Sequence, residues 1–468
     1  MTDVRSKRNK FANKKRVGVW ETAMTAPLIF LLFRIPLANI MGNEGNGYLA
    51  VSWELYIFTT IFLTHGISAA VYEMVKKRVQ KNLYHNSVRV FSVALGLSVT
   101  VSILSGIIIY FSSHYIYPII YGVRTGAISF KVFTIYLPVA ALCGSFRGYF
   151  EGMGSKMPTH YSKIAEAVVA GTGGLLLGGI LNSYGEKVSA LLFDASFKAG
   201  FGAAGVIFGL LSGALVALCL LLVIYKIYQL SFQQLLKKDD TRIFEKYGSI
   251  IKEMIYMIII TTAPVLFLKI YRIISFTLYQ KSLAVDQKIN GIRYIGSYHG
   301  KIILLVYLAV TVILGFTCTG IGRLRRTFFQ EKIKLCRRYY WEEIKVVLIS
   351  SVILSIALFA GGRFLLNLLF QTVNDYEVTM LKIGAIGVVL ISVATYNYRI
   401  FSSFQKNLPV FIIFLIAFTV QMAALLLILN TNISAFSIII AEMIFWAATL
   451  ILQMVYLSKL LKLTQRNV

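Results

Sequence analysis

Runs of about 20 apolar residues recur along the whole chain, each long enough to cross the hydrocarbon core of a bilayer as a helix. Inside lipid a backbone must satisfy its own hydrogen-bonding groups, which leaves helices or a closed barrel. The two-residue alternation of a transmembrane barrel is absent. The chain has 468 residues, of which 57% are apolar and 14% charged. An average soluble domain carries about 25% charged residues. The expected fold class is therefore an all-α polytopic membrane protein.

Twelve spans are predicted, at about 17–41, 48–73, 90–111, 128–150, 160–182, 202–227, 250–281, 293–317, 344–362, 378–398, 408–430 and 433–457. The net charge of +27 sits mostly between them. In a soluble chain it would point to nucleic acid; here it reports orientation. With both termini in the cytoplasm, the inner segments take about 33 Lys and Arg and the outer ones about 10, the inward bias of the positive-inside rule. Residues 1–16 form a basic cytoplasmic arm suited to anionic headgroups. Gly42-Asn43-Glu44-Gly45-Asn46-Gly47 reads as a tight turn, and 183–201 as an outer loop. A basic amphipathic stretch with Arg323, Arg325, Arg326, Lys332, Lys334, Arg337, Arg338 and Trp341 is expected along the inner surface. The composition breaks most sharply at 231–249. This divides the chain into an N-lobe (17–230, six spans), a cytoplasmic linker (231–249), a C-lobe (250–462, six spans) and a tail (463–468).

Two matching stretches suggest what the lobes do. Thr25-Ala26-Pro27-Leu28-Ile29-Phe30-Leu31 is followed by Arg34, and Thr262-Ala263-Pro264-Val265-Leu266-Phe267-Leu268 by Lys269 and Arg272. The offset between them is 237; Asn46-Gly47 and Asn290-Gly291 differ by 244, and Pro158 and Pro409 by 251. An ordered set of matches with a slowly growing offset is what small loop insertions make of an internal repeat. A cation within a span costs about 2.5–3.5 kcal/mol on insertion scales. Carrying that cost in both halves points to an anionic ligand, since Arg binds phosphates bidentately and stays charged. The competing expectation is that these cations snorkel or pair with buried acids. Arg34, Arg272 and Lys269 are the candidate substrate-binding residues. Glu54 is a candidate gate acid at the outer mouth; Arg147, Glu151, Lys163 and Glu166 are candidate gate residues at the inner mouth, or an ordinary solvated helix end.

Cys143, Cys219, Cys318 and Cys336 are scattered and the five histidines isolated, so neither metal nor disulfide is expected. Phosphate-loop, zinc-protease and nucleophile-elbow motifs do not occur, and the longest outer loop, about 20 residues, is too short for a catalytic domain. No enzyme activity and no cofactor are expected.

Arg34-Ile35-Pro36-Leu37-Ala38 with Gly42 to Tyr48 resembles the first-helix signature of the polysaccharide flippase branch of the multidrug/oligosaccharidyl-lipid/polysaccharide (MOP) exporter superfamily. Phe146-Arg147-Gly148-Tyr149-Phe150-Glu151-Gly152-Met153, then Pro158 and Ser162 to Glu166, resembles its stage V sporulation protein B subgroup, related to the lipid II flippase MurJ. The likeness is best over 30–215. Members often have fourteen spans where twelve are counted here, and Glu151 stands where a Gln is usual. The resemblance implies two six-helix lobes alternating around a central cavity in a bacterial plasma membrane. Its implied cargo is an undecaprenyl-diphosphate-linked oligosaccharide or peptidoglycan precursor, with membrane lipids as neighbours and Na+, H+ or the membrane potential as the coupling force. The rival, a cation-coupled multidrug exporter of the same fold, wants acids in its cavity; span 1 offers only Glu21, at its inner entrance.

Overall fold

The computed structural model describes the backbone of residues 2–121, 127–237, 239, 244–284, 287–317, 320–431 and 436–463, with side chains from Thr25 onward except at 116, 117, 119–121, 316, 317 and 461–463. The basic arm's side chains, linker residues 238 and 240–243, and tail residues 464–468 lie outside the described residues. The described chain is helical throughout: α1 (Thr2–Thr59), α2 (Ile67–Val79), α3 (Tyr84–Tyr121), α4 (Ala127–Gly152), α5 (Met157–Leu192), α6 (Ser196–Leu236), α7 (Tyr247–Ser282), α8 (Lys288–Ser297), α9 (Ile303–Thr317), α10 (Gly320–Phe329), α11 (Ile333–Leu369), α12 (Asp375–Ser403), α13 (Asn407–Leu429) and α14 (Ser437–Leu463). Two π turns, Thr60–Gly66 and Tyr298–Ile302, continue α1 into α2 and α8 into α9.

Eleven helical segments among the described residues are long and apolar enough to cross a membrane. The first, Thr25–Val79, has 55 residues, about 80 Å of helix at 1.5 Å per residue and enough for two passes. It is broken at Gly42, whose φ of +63° favours glycine. The spans expected at 17–41 and 48–73 fall on either side of this break, within one of the eleven segments.

Two sequence expectations need correction. The tight turn at 42–47 reduces to the single residue Gly42, after which Asn43–Gly47 is already helical. The outer loop at 183–201 does not exist as such, because α5 runs on to Leu192 and α6 begins at Ser196. The polar residues there decorate helices longer than a bilayer is thick. The basic amphipathic stretch is α10 and the start of α11: Leu324, Thr327 and Ile333 turn inward, while Arg323, Arg326, Phe329, Arg337, Arg338 and Trp341 are exposed.

The chain forms two compact units, one of residues 1–35 with 301–468 and one of residues 36–300. Each thus takes part of its opening span from the other half of the sequence: α7 belongs with residues 36–300, the start of α1 with 301–468.

In the 36–300 unit, glycines set how closely helices approach. A Cβ on Gly205 would lie 2.8 Å from the Gly178 Cα, and one on Gly213 would lie 2.6 Å from the Glu166 carbonyl oxygen. Gly174 and Gly178 of α5 thus form a row facing Gly205, Gly209 and Gly213 of α6, the small-residue packing typical of membrane helices. A third row, Gly144, Gly148 and Gly152 of α4, lies against the Thr60–Gly66 turn and α2; a Cβ on Gly148 would lie 2.6 Å from the Ser68 carbonyl oxygen. Hydroxyl pairs Ser52–Ser129 and Ser98–Ser145, each 2.6 Å, add interhelical hydrogen bonds.

In the other unit, Phe328 stacks on Phe404 at 4.0 Å. The Tyr340 hydroxyl donates to Asn397 Oδ1 at 3.1 Å, tying α11 to α12. A buried pair, Lys301 and Glu377, joins the second π turn to the first turn of α12 at 2.8 Å.

Candidate functional site

Glu54 organises the polar interior of the 36–300 unit. It sits on α1 shortly before the first π turn and is completely buried. Its Oε1 accepts a hydrogen bond from Arg272 Nη1 at 2.8 Å, and its Oε2 lies 3.0 Å from Lys269 Nζ. Both cations come from α7 and are buried. Their three-residue spacing puts them on one face of the helix. His299 Nε2, on the second π turn, lies 3.4 Å from Glu54 Oε1. One carboxylate thus meets a guanidinium, an ammonium and an imidazole.

Aromatic rings wall this cluster. Trp53 meets His299 edge-on at 6.4 Å and Tyr56 at 5.5 Å, and Phe276, one turn beyond Arg272, meets His299 at 6.5 Å. Gln280 continues the Arg272–Phe276 face of α7; it is buried, and neither of its amide atoms has a hydrogen-bond partner.

The close approach of the helices has a local cause. A Cβ on Gly66 would lie 2.7 Å from Thr262 Cγ2, one on Gly300 2.7 Å from Asn46 Cγ, and one on Gly296 2.7 Å from the Gly47 nitrogen. Thr262 opens the proline-bearing motif of α7, and Asn46-Gly47 is half of the repeat match. The same short motifs that betray the repeat bring α7 and α8 onto α1.

The sequence placed Lys269 and Arg272 in a binding site and Glu54 in a gate; the structure joins all three. This is also the pairing with a buried acid that the competing expectation named. Arg34 is buried as well, in the unit formed by 1–35 and 301–468. Of the inner-mouth candidates, Arg147 and Glu166 are joined, with Nη2 to Oε2 at 2.6 Å, and Arg147 Nε donates to Ser162 Oγ at 3.0 Å. Glu151 and Lys163 make no ion pair among the described residues.

Three features escaped sequence reasoning. His299 looked like one of five isolated histidines. Lys301 and Glu377 were not singled out. The third is a clasp at the end of α2: Arg78 pairs with Glu245, bonds Glu253 Oε2 at 3.2 Å and donates to the Met74 carbonyl at 2.9 Å. Arg89 donates to the Glu245 carbonyl at 2.9 Å and lies over the Phe244 ring. These contacts fasten the entrance of α7 to α2 and α3. The only sequence signal was a cluster of acids at the linker's end facing a basic loop.

No protein-family model matches the sequence, and no curated protein matches it. Solved structures do match its fold. A multidrug resistance MATE family transporter of the MOP superfamily, in an inward-facing conformation, aligns with a TM-score of 0.73 at 12% identity, covering 96% of this chain and 98% of that one. A MOP superfamily transporter from Pyrococcus furiosus, described as having a binding pocket of reverse polarity that suggests a different function, aligns at 0.64 with 13% identity over 96% of each chain. A MATE transporter in complex with MaD3S aligns at 0.60 with 14% identity, covering 94% of this chain and 95% of that one. This chain is an all-helical, multi-pass membrane protein with the fold of the MATE transporters of the MOP superfamily.

Proposed function

We propose that this protein is a membrane transporter that moves an undecaprenyl-diphosphate-linked oligosaccharide or peptidoglycan precursor to the outer leaflet of a bacterial plasma membrane. In this reading it is a carrier and not an enzyme, and its two six-spanned lobes, 17–230 and 250–462, alternate in access around the cargo. One observation carries the choice of cargo: two buried cations on one face of α7, Lys269 and Arg272, converge on Glu54 inside the 36–300 unit. Positive charge inside the membrane favours a phosphorylated headgroup and disfavours an organic cation. Arg272 and Lys269 bind the diphosphate, with Arg34 as the cation supplied by the opening span. Arg147 and Glu166, with Glu151 and Lys163 beside them, act as a gate. Lipids surround the carrier, and Na+, H+ or the membrane potential drives the cycle.

The test is transport in liposomes of defined undecaprenyl-linked substrates, with and without a membrane potential. Arg34→Ala and Arg272→Ala are each expected to abolish movement of the lipid-linked glycan, and the wild-type protein is expected to show no dye efflux. A cation-coupled multidrug exporter is the second reading, favoured by the complete burial of Glu54, Glu377 and Glu442. Dye efflux that needs Glu54, with no glycan movement, would establish it instead.

A further inference from the structure

The cations of the cluster are already occupied by Glu54. An empty carrier with Lys269 and Arg272 buried side by side would hold two like charges away from water, an arrangement that needs a counter-charge. Glu54 supplies one from within the chain, with an oxygen toward each cation at 3.0 and 2.8 Å. A phosphate group presents oxygens to a pair of cations in the same convergent way. We propose that Glu54 is an internal stand-in for the cargo's phosphate, and that loading is an exchange in which the phosphate takes Lys269 and Arg272 while His299 retains the displaced carboxylate. This rests on the anionic-cargo reading above.

The position of His299 supports the exchange. It lies 3.4 Å from Glu54 Oε1, on the opposite repeat from Glu54, and within a π turn, a local irregularity that is frequent at functional sites in helices. Gly300 next to it lets the backbone close onto Asn46, where a side chain would collide. The imidazole is therefore held against the carboxylate by the Gly300–Asn46 approach to α1 as well as by Phe276 of α7, which carries both cations. When α7's cations turn to another anion, Glu54 keeps a neighbour.

A tethered carboxylate also sets a threshold. It is a single negative charge at very high local concentration, so a free monoanion gains nothing by replacing it. A diphosphate brings more charge to the same two cations and displaces it. Glu54 is thus a specificity-determining residue that excludes carboxylates and other monoanions from a cationic site.

The experiment uses the full-length protein in nanodiscs of neutral lipid, with inorganic pyrophosphate as the probe and acetate as the monoanion. Trp53, edge-on to His299, reports occupancy by its fluorescence, and Trp53→Phe identifies that signal among the four tryptophans. Glu54→Gln removes the competing charge at constant size. It is expected to bind pyrophosphate at least about ten-fold more tightly than wild type, a shift of about 1.4 kcal/mol, and to acquire acetate binding. Glu54→Asp draws the carboxylate back by one methylene and is expected to fall between the two, which keeps the test available if the Gln variant does not fold. Pyrophosphate binding that is lost in Arg272→Gln but is not tightened by either Glu54 variant would overturn the stand-in alone. Folded wild-type and Glu54 variants that all ignore pyrophosphate would overturn the anionic-cargo reading on which it rests.

Discussion

Lys301 and Glu377 offer the sharpest measurement of what a buried charge pair contributes in this fold. Lys301 Nζ lies 2.8 Å from Glu377 Oε1 and 3.1 Å from Oε2, and it also donates to the Thr372 carbonyl. The two side chains are 3% and 0% exposed, so neither charge has water to fall back on. Glu377 has a second duty: its Oε2 accepts from the Asn374 N–H at 3.2 Å, closing the first turn of α12. Removing one partner of such a pair costs about 3–5 kcal/mol, because the survivor is left charged and dry. Lys301→Met should fall at the low end of that range, since Glu377 keeps the helix N-terminus, which favours a carboxylate by about 0.3–1 kcal/mol. Glu377→Leu should fall at the high end, losing the pair and about 1 kcal/mol of capping. The double variant loses the attraction and both desolvation penalties together, and is expected within about 2 kcal/mol of wild type. The coupling between the sites is then at least about 3 kcal/mol. Equilibrium unfolding in SDS–detergent micelles, run on all four proteins, reads it directly. If the double variant is as unstable as the two singles summed, the buried-pair reasoning is wrong.

Other outcomes follow from the same geometry. Gly209→Ala is expected to lower stability by about 1–3 kcal/mol through overpacking, because its Cβ would lie 2.7 Å from the Gly173 carbonyl carbon, whereas Gly174→Ala, with nothing within 4 Å, is expected to be tolerated; thermal-shift midpoints compare the two. Arg147→Lys is expected to behave like Arg147→Met in liposome transport, since one ammonium does not reproduce a guanidinium held by both Glu166 and Ser162; full rescue by Lys would show that only the charge matters. Arg78→Gln is expected to raise hydrogen exchange over 244–249 by about ten-fold, equivalent to about 1.4 kcal/mol of local opening, because it releases Glu245 and Glu253 together; unchanged protection would mean the clasp contributes nothing.

Fold class was legible because it depends on composition and periodicity, which every residue reports. Span boundaries were less so. The α5 helix has 36 residues, about 54 Å at 1.5 Å per residue, well beyond a hydrocarbon core of about 30 Å. Its polar end, Ser183 to Lys187, therefore reads as loop although it is helix. The buried cations were legible too, since an arginine in an apolar run needs explaining. Their partners were not. Glu54 and Arg272 are 218 residues apart, and no local pattern records which acid an intramembrane cation will meet. His299 was invisible for a related reason: its role comes from a π turn, and no feature of Tyr298-His299-Gly300-Lys301 announces an irregular winding.

The repeat explains why the cluster forms where it does, and why it is not symmetric. The offset of 244 that carries Asn46-Gly47 to Asn290-Gly291 carries Glu54 to Tyr298, beside His299. Around that register the two related segments pack on each other, with Gly296 against Asn43 and Gly47 against Ile292. An unmodified repeat would therefore put a second acid at the Tyr298 register, next in sequence to His299. The offset of 237 between the proline-bearing motifs carries Lys269 and Arg272 back to Leu32 and Ile35. The cations thus occupy α7 positions whose first-repeat equivalents are aliphatic, and the acid occupies an α1 position whose equivalent is a tyrosine. Duplication supplies two faces that fit; complementary charge arises only where the copies have diverged. Placing a carboxylate at buried Tyr298 would add a second acid beside the cluster. Tyr298→Glu is accordingly expected to destabilise the protein more than Tyr298→Leu, by an amount that Glu54→Gln partly recovers in the same micelle unfolding measurement. Equal stability of the two Tyr298 variants would break the link between the repeat and the charge cluster.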